Sequence, residues 1–146
     1  VGYDPVLDRV LQRQNTTLRL SLVADVAVLL VHSNHDTGHL RATDDGSLGH
    51  RGLVTDLLRK ELESTGSKAV YTCGPHAMIE AVADVSKEFE VACQVSLEEY
   101  MACGIGICVG CVVRVENAEG KTEYGDYKRI CVDGPVFDAR EICWEH

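Results

Sequence analysis

Four cysteines are the residues whose type and spacing could do chemistry. Cys103, Cys108 and Cys111 stand at C-x4-C-x2-C, and Cys131 follows after nineteen intervening residues. Four thiolates at this spacing read as the ligands of a plant-type [2Fe–2S] cluster. Gly104, Gly106 and Gly110 lie among the first three. A loop folded around a cluster needs backbone conformations that a Cβ resists, and it needs inward N–H groups for the anionic sulfurs. The glycines are read as meeting both needs. Zinc is the competing metal. Structural zinc sites usually show two short Cys pairs, and here only Cys108 and Cys111 form a C-x2-C pair.

Composition narrows the field. The chain has 146 residues and a net charge of −9. That length suits one domain with a core, or one domain plus a small module. The acidic balance argues against nucleic acid and against an anionic membrane surface as partners. No apolar run reaches ~18 residues, so no transmembrane helix is expected. No basic stretch followed by an apolar one opens the chain, so no export signal is expected. Seven cysteines would leave one over in a disulfide framework. A reducing cytoplasm and a metal cluster are the simpler expectation. The chain begins at Val1, which is read as a fragment or a processed product.

The elements that must position the cysteines follow from periodicity. A helix is expected over Asp4–Gln14, with Asp4 as cap and Pro5 at its first position. Leu18–Val31 reads as β-rich, with a buried strand ending near Val31. His32, His35 and His39 fall in or beside a polar stretch and read as solvated imidazoles. Thr43-Asp44-Asp45-Gly46-Ser47 reads as a turn. A helix is expected from Gly52 to Glu63, with Leu53, Val54, Leu57, Leu58 and Leu62 on one face and Gly66 at its end. Lys68–Thr72 reads as a strand entering Cys73-Gly74-Pro75. A helix then starts with Pro75 at its first position and buries Ala77, Met78, Ala81, Val82, Val85 and Phe89. Val91–Val95 is a further strand.

Alternating strands and helices imply an α/β fold with a parallel sheet, whose ligands bind beyond the strands' carboxyl ends. The helix start after Cys73–Pro75 offers free N–H groups to a phosphate or carboxamide. For Cys73 itself, a small side chain packed at a strand end is an equal reading. Beyond Cys111 the texture becomes β-rich. Val112, Val113 and Val115 form one strand, Asn117–Lys121 a turn, and Glu123–Val132 a returning strand or pair that brings Cys131 home. Val136, Phe137, Ile142 and Trp144 supply apolar cover. Cys93 and Cys143 lie outside the ligand pattern and read as packed thiols, Cys143 being the substitute if Cys131 is not a ligand. The division is therefore residues 1–95, a parallel-sheet nucleotide-binding α/β domain, and residues 96–146, a small β-rich cluster module.

Several motifs together are recognisable. They are Thr43-Asp44-Asp45-Gly46-Ser47 followed by Gly49, Gly52, Val54, Thr55 and Asp56; Tyr71-Thr72-Cys73-Gly74-Pro75 with Met78; and Ser96-Leu97-Glu98 with Met101 and the cysteine loop. The tail Cys131-Val132-Asp133-Gly134-Pro135-Val136-Phe137 completes the set. From about Thr43 to Trp144 the chain resembles the electron-transfer subunits of dihydroorotate dehydrogenase B, within the ferredoxin–NADP reductase superfamily. The resemblance implies a ferredoxin reductase C-terminal-like domain and a path for electrons. NADH exchanges hydride with FAD, and the [2Fe–2S] cluster passes single electrons to or from FMN in a catalytic partner subunit, where dihydroorotate becomes orotate in pyrimidine biosynthesis. It implies Cys103, Cys108, Cys111 and Cys131 as cluster ligands. It also implies Thr43, Asp44, Asp45, Gly46, Ser47, Cys73, Gly74 and Pro75 as the lining of the NAD(H) site. Cys73 would lie near the nicotinamide–flavin stack and not act as a nucleophile; no catalytic residue is assigned.

The family's FAD-holding β-barrel has no counterpart in this sequence, and only Gly2 precedes the Asp4–Gln14 helix where a Gly-rich turn belongs. FAD is therefore expected of the full-length family and not of this chain alone. A hetero-oligomer is expected, with the chain alone not competent in catalysis. Related subunits that serve NAD(P)H–ferredoxin or glutamate synthase-like oxidoreductases are the neighbouring expectation. Some of those put a carboxylate at the first cluster position and lack Cys before Gly-Pro, whereas this chain has Cys at both places. A zinc-stapled, non-catalytic interaction module is the reading from a different class.

Overall fold

A computed structural model of the chain describes Leu20–Ser21, Val28–His32, Leu40, residues 42–116 and residues 125–144. The helix expected over Asp4–Gln14, His35 and His39, and the turn at Asn117–Lys121 lie outside those residues.

The architecture is α/β. Among the described residues, five strands form one sheet in the order β1-β2-β5-β6-β9. They are β1 (Leu20–Ser21), β2 (Val28–His32), β5 (Ala69–Cys73), β6 (Ala92–Ser96) and β9 (Val136–Asp138). The sheet is mixed, which corrects the parallel one expected. Among the described residues of this sheet, only β5 and β6 pair in parallel, from Ala69 opposite Ala92 to Cys73 opposite Ser96. β2 runs antiparallel to β5 and β9 antiparallel to β6. The run Leu18–Val31 is likewise divided, with β1 antiparallel to β2. Apolar runs report burial and not direction; a crossover helix is what makes neighbouring strands parallel. That helix, α2 (His76–Glu88), stands between β5 and β6.

α1 (Val54–Thr65) keeps the expected stripe, burying Val54, Leu58 and Leu62. Leu53 does not join it. It precedes the helix, 64% exposed, and its N–H donates to Asp56 Oδ2 at 3.1 Å. That is half of a capping box, since Leu has no side-chain oxygen to return the bond. Gly66 closes the helix at φ 60°, a left-handed conformation that suits glycine.

α2 is rotated from expectation. Pro75 is the residue before the helix, and the buried positions are Ile79, Val82, Ala83, Val85 and Ser86. Met78 and Phe89 are half-buried against the core and Ala77 is exposed. Ser86 shifts the stripe: its hydroxyl donates to Val82 O at 2.8 Å. A polar side chain satisfied within its own helix can enter a core.

One apolar core runs through the sheet, α1, α2 and the C-terminal segment. Leu58, Val70, Ile79, Val82 and Val95 share it with Cys111, Val115, Ile130, Phe137 and Ile142. β9 sets Phe137 directly opposite Val95. Two small ladders flank the sheet. β3 (Ala42–Thr43) pairs in parallel with β4 (His50–Arg51). β7 (Val112–Arg114) pairs antiparallel with β8 (Tyr127–Arg129). The returning strand stops there, because residues Ile130–Asp133 form a single helical turn, α3. Asp133 begins that turn's bonding by accepting from Arg129 N at 2.7 Å. Among the described residues no helix is long and apolar enough to cross a membrane.

Candidate functional site

The cysteine loop leaves the sheet at the carboxyl end of β6. Ser96 ends that strand beside Cys73, which ends β5. Leu97 is buried, and its N–H donates to Pro135 O at 3.0 Å. The loop's exit is fixed as well, since Cys111 O accepts from Ile130 N at 2.9 Å. The β7–β8 hairpin closes with Val112 opposite Arg129. Cys131 therefore returns as expected, but on α3 and not on a strand.

The thiols meet as two pairs. Cys108 N donates to Cys103 Sγ at 3.4 Å. The Cys103 thiol is lowered to about 6, chiefly by that amide, then by the Ile105 amide and the Cys108 thiol. The Cys111 thiol is lowered by the Cys131 amide first and the Cys131 thiol second. Cys131 is raised in turn, because its thiol donates to Cys111; burial and the nearby charges of Cys111 and Cys103 push the same way. The Gly106 amide faces the Cys131 sulfur and opposes that rise. So Cys103 stands with Cys108, Cys111 with Cys131, and the two pairs adjoin. Among the described residues no three His, Cys, Asp or Glu side chains gather tightly enough for one metal ion. Paired thiols suit two bridged irons better. Each tetrahedral iron spends two positions on sulfide and needs two thiolates, whereas a lone zinc needs all its ligands at one point.

The loop backbone meets expectation in part. Gly104 and Gly106 hold φ of 66° and 83°. Gly110 does not share that conformation. Val109 takes it instead, at φ 48°, which a β-branched residue rarely does. No residue type marks Val109 for that role. Around the loop Tyr100, Met101, Ile105, Ile107, Val109 and Val132 expose large apolar side chains, Tyr100 to 96%.

The other predicted residues stand at the starts of two different helices. Thr43 to Ser47 turn before α1. Gly46 N donates to Thr43 O at 3.2 Å, and Ser47 N to Asp45 Oδ1 at 2.9 Å. The Ser47 amide holds the Asp45 carboxyl below its ordinary range. Gly52 N donates to Thr43 O at 3.1 Å, tying the turn to the approach to α1. Asp44 and Gly46 are exposed. Cys73, Gly74 and Pro75 lead into α2, with Cys73 half-buried. Trp144 reaches this second turn. Its ring meets that of His76, the first residue of α2, edge-on at 5.5 Å, and its Nε1 donates to Ala139 O at 3.2 Å. Cys93 is buried in the core, which pushes its thiol up to about 11. Cys143 is half-buried, and its N–H donates to Arg114 O at 3.0 Å.

These environments separate the thiols in reactivity, because the thiolate is the nucleophile. In metal-free, folded protein at pH 7, iodoacetamide should label Cys103 readily and leave Cys93 unmodified. Lowering the pH to 5 should slow Cys103, since protonation removes its thiolate. Mass mapping reads both; equal labelling of the two sites would contradict the placement.

A model of the oxidoreductase NAD-binding domain matches residues 8–84, more than half of the chain. The chain belongs to that NAD-binding family. Residues 98–143 match the iron–sulfur cluster binding domain of dihydroorotate dehydrogenase B. Both cofactor-binding parts thus stand in one chain of this oxidoreductase family. The electron-transfer subunit of dihydroorotate dehydrogenase B (NAD(+)) from Caldanaerobacter subterraneus subsp. tengcongensis is 38% identical over 97% of the chain. Its counterpart from Desulforamulus reducens is 38% identical over 71%, and that from a Geobacillus species 45% over 69%. The chain spans 56%, 38% and 36% of these three relatives. A solved structure concerned with flavin-based electron bifurcation, that of an NADH-dependent reduced ferredoxin–NADP oxidoreductase, matches at a TM-score of 0.60 and 33% identity. The match covers 73% of this chain and 36% of that one.

Proposed function

We propose that the chain is the nucleotide-binding and cluster-bearing part of an electron-transfer subunit for NAD-dependent oxidation of dihydroorotate to orotate. Residues 1–95 would form the nucleotide part and residues 96–146 the cluster part. Cys103 with Cys108, and Cys111 with Cys131, would each hold one iron. Thr43–Ser47 and Cys73–Pro75 would line the NAD(H) site. The observation that carries this reading is the continuity of β6 from the nucleotide sheet into a loop presenting two adjacent thiol pairs. When bound, a [2Fe–2S] cluster supplies one-electron transfer, which hydride carriers lack.

The chain's own residues do the rest. The Cys108 and Ile105 amides favour the Cys103 thiolate, and the Cys131 amide favours that of Cys111. Amides fixed before the metal arrives cost no reorganisation on binding. The exposed apolar collar around Tyr100 and Ile107 suits contact with an FMN-bearing catalytic subunit, since patches of this kind mark interaction surfaces. The ferredoxin–NADP oxidoreductase neighbour favours one second reading, in which the subunit serves an NAD(P)H–ferredoxin couple.

Colour tests the metal chemistry. Protein purified without oxygen, or reconstituted with iron and sulfide, should be brown and bleach with dithionite. A colourless protein that retains zinc would overturn the reading. With the catalytic subunit present, dihydroorotate should reduce the chromophore; reduction by NADPH and reoxidation by ferredoxin alone would favour the second reading.

A further inference from the structure

Arg129 ends β8, two residues before Cys131, and its side chain is only 17% exposed. Its Nε donates to Asp133 Oδ2 at 3.2 Å, and its backbone N donates to the same oxygen at 2.7 Å. One carboxylate thus holds both the main chain and the side chain of Arg129. Its Nη1 reaches across to Gly106 O at 3.3 Å. Gly106 lies between Cys103 and Cys108 and is buried. A Cβ there would stand 2.6 Å from Val132 Cγ2 and 3.3 Å from Arg129 Nη1. The middle of the cysteine loop therefore lies directly on the turn that carries Cys131.

The bond to Gly106 O does more than join two segments. The Gly106–Ile107 peptide is planar and trans, so its carbonyl and its N–H point opposite ways. The carbonyl is held by Arg129, and the Ile107 N–H on the other side faces Cys103. The Gly106 N–H faces Cys131. The guanidinium thus orients the Ile107 donor through one peptide plane, while the neighbouring Gly106 donor, on the preceding peptide, faces the other thiol pair.

We propose that Arg129 is the positioning residue of this site: its guanidinium fixes the Gly106–Ile107 peptide over the Cys131 turn and sets one positive charge at the Gly106 carbonyl, on the loop between the two thiol pairs. The inference rests on the cluster reading above. Reduction adds an electron to an already anionic tetrathiolate cluster, and a fixed cation nearby favours the reduced form. Arg129→Gln removes that cation and leaves the Asp133 carboxylate, on the turn of Cys131, without its guanidinium partner. Both changes move the midpoint in the same direction, to more negative potential. Arg129→Lys keeps the charge and loses the fork that spans Asp133 and Gly106.

The test compares wild type, Arg129→Gln and Arg129→Lys after reconstitution with iron and sulfide. A redox titration followed by EPR reads the midpoint, and transfer of iron to a chelator reads retention. Arg129→Gln should titrate at a more negative midpoint and lose iron on the order of 10-fold faster. Arg129→Lys should keep the wild-type midpoint while losing iron faster than wild type. A folded Arg129→Gln with wild-type midpoint and wild-type iron loss overturns the proposal. If Arg129→Gln does not fold by circular dichroism, Arg129→Lys decides: faster iron loss in a native fold upholds the proposal, and wild-type loss overturns it. Wild-type protein that takes up no cluster would refute the cluster reading itself, and this inference with it, which the wild-type control shows on its own.

Discussion

Cys108→Ser should give a folded protein with little or no iron–sulfur chromophore. Cys108 is the exposed member of the four thiols and adds nothing to the core, so its loss should leave the far-UV spectrum unchanged. Its amide still donates to Cys103 Sγ. What disappears is one of four thiolates, and a serine oxygen is a harder and far less acidic ligand for iron. Iron and acid-labile sulfide, measured after reconstitution, should fall to a small fraction of wild type. Contents equal to wild type would remove Cys108 from the ligand set. Cys143→Ser is the control: its thiol stands outside both pairs, so it should keep full iron, and loss of iron there would move the fourth ligand from Cys131 to Cys143.

Leu58→Ala should cause the largest loss of stability. Leu58 is fully buried at the centre of α1, against the sheet and α2. Truncation removes apolar contact and leaves a cavity, at a cost of about 2–5 kcal/mol. For a chain of this size that lowers the melting temperature on the order of 10 °C. Leu53→Ala, at an exposed position next to Leu58 in composition but not in burial, should change stability by only about 0.5 kcal/mol or less. Melting curves of the two variants check the pair; similar shifts would mean that the α1 stripe is misplaced.

The contrast between those leucines shows what residue types reveal. A period of 3.6 placed Val54, Leu58 and Leu62 correctly, and Gly66 marked its helix end, because both are local. Leu53 fits the same period but lies before the first helical turn, where backbone bonding and not hydropathy decides. The cysteine spacing announced a four-thiol site. The way Cys131 arrives was hidden, since an Arg129–Asp133 bond four residues apart turns a strand into a helical turn. Val109 was hidden too: its left-handed backbone is imposed by the loop around it. Strand direction could not be read from apolar runs, and Ser86 carries no apolar signal of burial although its own helix satisfies its hydroxyl.

The pairing of β9 with β6 has a consequence for how the chain ages and turns over. The cysteine loop is anchored at Leu97 to Pro135, the residue just before β9, and its last cysteine belongs to the same core as Val95. Metal held by the loop would therefore act as a ligand of the native state as a whole, adding to its stability by mass action. Iron supply and resistance to proteolysis become linked quantities: the metal-free chain keeps its fold, with a smaller margin of stability that the sheet and the loop share.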